Sequence, residues 1–198
     1  MKMKKNSILG LLVLSIFAAS CAFAYHPTVL TDSSTGMTVT LYPSGDHYDG
    51  AGFFYQNDRF EYGVDIPDFF FEVVLLPENE DGLILTTRCE NARFRASGGF
   101  VMFEDELRTS LEAAKKHLEN DLGGTVTSEK TGDDWWELSW RNGSENGIRR
   151  YITNGILWSD CEFTWSDQLN LGFQYDGLPD AAYKLFERSL QTLNLGVG

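Results

Sequence analysis

The sequence predicts an α+β fold, an antiparallel β-sheet flanked by two amphipathic helices. Three observations lead there: short alternating apolar runs joined by turn residues, two stretches with helical apolar spacing, and ample core material. Of 198 residues, 42% are hydrophobic and 14% aromatic, too many for a chain that stays disordered. No linker-like break or internal repeat interrupts the pattern, so one folded domain is expected.

The N-terminus reads as a bacterial-type secretory leader. Lys2, Lys4 and Lys5 precede an uncharged apolar run from Ile8 to Ala19, and Ala22-Phe23-Ala24 is an A-x-A cleavage pattern. That run is too short to span a bilayer, and nothing after it is long and apolar enough to try. Ala18-Ala19-Ser20-Cys21 also resembles a loose lipobox, in which Cys21 would be lipidated. The expected location is therefore periplasmic or secreted, with lipid anchoring as the alternative processing route. Removing residues 1–24 removes three lysines and no acid, which takes the formal charge from −13 to −16.

The elements follow in order. Residues 25–36 offer little to bury. Met37–Tyr42 alternates and ends at the Pro43–Asp46 turn, and Phe53–Gln56 with Arg59–Ile66 forms a hairpin around Asn57-Asp58. Tyr62, Val64 and Ile66 share one face of it. Phe69–Leu76 is a nearly continuous apolar run, and Leu83–Thr87 with Ala92–Ser97 makes a second hairpin. Leu107, Leu111, Ala114, Leu118 and Leu122 predict a helix over 105–122, stopped by Gly123. Strands are expected over 125–130, 134–141, 148–153 and 156–165, the last two joined by Asn154-Gly155. A closing helix over 179–193 carries the stripe Ala182, Leu185, Phe186, Leu190 and Leu193, with Pro179 in its first turn.

This order resembles a known family. Tyr62-Gly63-Val64-Asp65-Ile66-Pro67 is similar to the opening of PsbP-like domains, where an aromatic-Gly-apolar strand runs into a proline. A charged loop ending in Asp81-Gly82, a hairpin, a Leu-rich helix, a Trp-bearing strand, a Gly-turn hairpin and a terminal helix then follow. The resemblance covers about residues 58–195 and implies an α/β/α sandwich, with 25–57 as an N-terminal extension and 58–198 as the domain. It also implies a mostly non-catalytic role in protein association.

Chemistry-bearing patterns are sparse. The pI near 4.5 argues against nucleic acid, whose phosphates call for clustered Lys and Arg. There is no G-x-S-x-G, no S-x-x-K and no H-E-x-x-H, and the three histidines are far apart. No cofactor or metal is expected; the oxygen-rich loops Asp46–Gly50 and Glu78–Gly82 read as solvated turns. Asp133-Asp134 and the pair Asp160 and Glu162 are the acids placed for general acid–base work. Cys89 and Cys161 are an even pair in an oxidising compartment, either bonded or both reduced. Arg88, Arg93 and Arg95 cluster in one hairpin, where they either pair with the abundant nearby carboxylates or suit an anion or a partner. Trp135 and Trp158 fall on the faces of their strands opposite the apolar ones, so they mark a binding patch if left uncovered.

The function expected is that of a non-catalytic exported accessory or binding protein with a protein partner in the cell envelope. Two alternatives are an acidic inhibitor or immunity-type protein that captures a basic partner, and a carboxylate-based hydrolase.

Overall fold

The computed structural model describes residues 26–44, 52–169 and 179–196. The segment read as a leader, with Cys21, and the loop Asp46–Gly50 lie outside them. Two antiparallel sheets dominate, with 50% of residues in strands and 18% in helices. The short sheet contains β1 (Thr28–Thr31), β2 (Thr38–Pro43), β3 (Gly52–Asn57), β4 (Tyr62–Pro67) and β12 (Asn194–Leu195), in the order β1-β2-β3-β4-β12. The long sheet contains β5 (Glu72–Leu75), β6 (Gly82–Thr86), β7 (Ala92–Phe100), β8 (Thr125–Thr131), β9 (Trp135–Asn142), β10 (Glu145–Thr153) and β11 (Leu157–Ser166). Its order is β5-β6-β7-β11-β10-β9-β8. Helix α1 spans Glu106–Lys116 and runs on through a π-helical turn, His117–Asp121; α2 spans Pro179–Gln191.

This corrects the expected α+β sandwich of one sheet between two helices. The alternating residues of 38–66 bury Leu41, Tyr55, Tyr62, Val64 and Ile66 as the inner face of a second sheet. Strands β1–β3, from the segment read as an extension, complete that sheet beside β4. That second sheet covers part of the long sheet, on a face expected to lie under a helix.

The long sheet has an inner and an outer face. Leu85, Phe94, Phe163 and Ile148 are successive cross-strand partners on the inner face, and all four are fully buried. The short sheet lies over its β6–β7 end: the ring of Tyr62 sits where a side chain at Gly98 would be, 2.6 Å from an added Cβ. Helix α2 covers the other end. Phe186 stacks on Phe163 with centroids 4.6 Å apart and lies 5.9 Å from Phe70. Tyr183 and Ser139 share a 3.2 Å hydrogen bond, and Lys130 on β8 bridges Glu137 and Glu187 at 2.9 and 2.6 Å. On the outer face α1 covers only the β8–β10 half, packing Leu107, Leu111, Ala114 and Leu118 against Trp136, Leu138 and Trp140. Gly123, at φ +67°, ends that helix as its sequence implies.

Because Phe186 contacts aromatic side chains from several elements, truncating it removes more than one residue's burial. Phe186→Ala is expected to cost about 3–5 kcal/mol. Urea unfolding checks this through a lower midpoint at an unchanged slope.

Candidate functional site

The outer face gathers several of the residues singled out from the sequence. Trp136, Tyr151 and Trp158 come from three adjacent strands and stack face to face, Tyr151 lying 5.4 Å from Trp136 at 3° and 5.9 Å from Trp158 at 18°. The Trp158 indole crosses β7 at Gly99, where an added Cβ would approach it to 2.8 Å, and its N–H donates to the Phe100 carbonyl at 3.1 Å. Trp135 faces the other way. It lies on the inner-face side, half-buried, with the Arg150 guanidinium 4.2 Å above its ring. The two tryptophans therefore do not form one patch.

Beside the stack is an ion network. Asp160 and Glu162 share the outer face, as the alternation requires, with Arg149 on β10 and Arg95 on β7. Asp160 accepts from Arg149 Nε at 2.8 Å and from Arg95 at 3.1 Å, and Arg95 also meets Glu162 at 3.4 Å. Burial pushes the Asp160 carboxyl up, but the two guanidiniums outweigh it and hold it below the usual carboxylate range. A carboxylate held ionised between two arginines is a poor general acid. Arg93 shares the outer face and is exposed, and Arg88 is exposed in the β6–β7 turn; neither has an ion pair among the described residues.

Cys89 and Cys161 are free thiols. Cys161 is buried and pairs across the sheet with Ala96, whereas the turn bearing Cys89 joins β7 only at Ala92. Four residues of strand are about 13 Å, beyond the roughly 7 Å that a disulfide tolerates between Cα atoms. Burial also pushes the Cys161 thiol well above its ordinary range, which leaves it inert.

The most distinctive surface was not read from the sequence. After β7 the chain continues apolar through Phe100, Met102 and Phe103, which are 58%, 75% and 66% exposed; Ile156 in the β10–β11 turn is 71% exposed. Val101 N–H donates to the Ile156 carbonyl at 2.8 Å, which fastens the two segments into one tip. Phe100 is braced by an edge contact with Phe60 at 5.5 Å. A cavity of about 520 Å³ opens at the foot of the tip between Phe103, Glu104, Glu106, Asp133 and Asp134. Glu104, Asp133 and Asp134 have no cationic partner among the described residues, and Oε2 of Glu106 is buried without a hydrogen bond. The available signal was an apolar run continuing past a strand into a charged helix start, with no polar turn between.

The chain matches no protein-family model and no curated protein. Nothing in these comparisons identifies the PsbP-like family. No described helix is long and apolar enough to cross a membrane, and no described group of His, Cys, Asp and Glu is arranged to hold a metal.

The carboxylates set the acid response. Asp32 is held down to about 2 by the Ser34 hydroxyl, with the N–H groups of Ser34, Leu76 and Thr35 adding to it. Like Asp160, it has a folded pKa below its unfolded value, so its contribution is present above about pH 4 and lost as pH falls through the folded pKa. The urea midpoint is expected to fall steadily on acidification below about pH 4. Asp160→Asn leaves two arginines without their shared counterion and is expected to cost about 3–5 kcal/mol at neutral pH. A variant as stable as the wild type would show that the network contributes little.

Proposed function

We propose that the protein is a non-catalytic, exported binding protein of the cell envelope that grips a basic protein partner through the tip formed by Phe100, Met102, Phe103 and Ile156. The exposure of these four large apolar side chains at one place carries this reading, because soluble proteins seldom leave such a cluster in water without a use for it. The acidic collar selects the partner's charge. Among the described residues Glu104, Asp133 and Asp134 have no ion-pair partner beside the tip and the buried oxygen of Glu106 lacks a donor, and the whole chain carries −13. An apolar tip anchors and an acidic rim steers, a division of labour common at protein interfaces. The same collar favours the inhibitor-like form of this role over an accessory that binds neutral surfaces. Hydrolysis by paired carboxylates finds less support, since Asp160 and Glu162 both face arginines.

The test uses a double variant, Met102→Ser with Phe103→Ser, whose exposed positions leave the core untouched. Proteins captured by the wild type from an envelope extract are identified, purified and returned to a two-component binding assay. The expected partner is basic, binds at least about tenfold more weakly to the double variant, and associates more slowly as salt is raised to about 0.5 M. Equal affinity for wild type and variant, or an acidic partner, overturns the proposal.

A further inference from the structure

We infer that the protein has a second site, at the opposite end of the long sheet from the tip, that binds a small zwitterion of the size of an amino acid or short peptide. A cavity of about 210 Å³ lies there between the Thr87–Asn91 turn, residues 144–145 at the start of β10, and the end of β11. Ser166 N–H donates to the Asn91 carbonyl at 3.0 Å and Asp167 N–H to the Ser144 carbonyl at 2.7 Å. These two bonds tie both walls to the same strand end and fix the width between them. The volume falls below the roughly 300 Å³ at which sites for drug-sized ligands begin, so the ligand is small.

The charge pattern defines its chemistry. Arg93, Glu90 and Glu145 line the cavity, and none of them forms an ion pair or side-chain hydrogen bond among the described residues. This is unusual in so acidic a chain: the sheet's other arginines, Arg95, Arg141, Arg149 and Arg150, all engage carboxylates. One cation and two anions, each unpaired, surround one space. A ligand carrying both a carboxylate and an ammonium group satisfies that arrangement, the carboxylate on the Arg93 fork and the ammonium toward Glu90 and Glu145.

The Thr164 and Ser166 side chains supply further polar groups; Ser166 Oγ accepts from Gln168 N–H at 3.1 Å and keeps its own O–H to donate.

Calorimetric titration of the exported chain with glycine, glutamate and glycylglycine tests the site, with acetate and methylammonium as half-ligands that each carry one of the two charges. At least one zwitterion is expected to bind about tenfold or more tightly than either half-ligand. Arg93→Gln and Glu145→Gln are each expected to weaken it about tenfold, while Arg88→Gln, outside the cavity, leaves it unchanged. All three positions are exposed or half-exposed, and circular dichroism verifies that the variants fold. No heat from any zwitterion at about 10 mM overturns the inference. So does acetate binding as tightly as the zwitterions, or binding that ignores both cavity variants. Because the tip residues take no part, failure here leaves the tip reading untouched, and failure there leaves this one.

Discussion

The stacking of Phe186 on Phe163 is the contact on which the rest of the molecule depends. The long sheet is apolar on its inner face across β6, β7, β11 and β10, and no single element of this chain is wide enough to cover that face. Helix α2 covers one end and the short sheet the other, and Phe186 lies near the junction, reaching Phe69 and Phe70 as well as Trp165. Hydrogen bonds lock the two covers together: Asp65 N–H donates to the Thr192 hydroxyl at 2.8 Å, and the Ser189 hydroxyl donates to the Asp65 carbonyl. Asn194 and Leu195 then pair with β4 as β12, so helix α2 and the short sheet are held as one lid.

Charges inside this frame act on register. Arg149 and Arg150 are neighbours on β10 and project to opposite faces, and each meets a buried carboxylate, Asp160 outside and Glu137 inside. Burying ion pairs rarely adds much net stability, because desolvation offsets the attraction. Their effect is one of discrimination. A one-residue slip of β10 would turn each arginine to the face of the other's partner and strand four charges in poorly matched surroundings. The aromatic rings add to this, because Tyr151 stacks between Trp136 and Trp158 only in the observed alignment.

Much of the architecture was legible because alternation and helical spacing are local properties. Trp136, Leu138 and Trp140 announced an apolar face of β9, the stripe of α2 was complete, and the Asn154-Gly155 turn lies where the sequence puts it, with Asn154 Oδ1 accepting from Leu157 N–H at 2.8 Å. What alternation lacks is any mark of which sheet a strand joins, so β2–β4 were read as part of one sheet when they build another. β1 escaped because its residues are exposed or half-exposed, with little apolar contrast to read. The candidate residues divide in the same way. Arg93 and Arg95 share a face, as their spacing requires, but Trp135 and Trp158 sit on different strands, and only the pairing through β10 reveals that they look in opposite directions. The tip leaves no such mark, because Phe100–Phe103 fits neither a strand nor a helix pattern.

Gly98 and Gly99 share one short stretch of β7, with Tyr62 pressed against the first from the inner side and Trp158 against the second from the outer. Two rings thus pinch the backbone from both sides immediately before the chain leaves the sheet for Phe100. A pinched strand end has little conformational freedom left to lose. Any surface that docks there meets side chains whose backbone was ordered when the protein folded, and the entropy of holding the tip in place is charged to folding and not to binding.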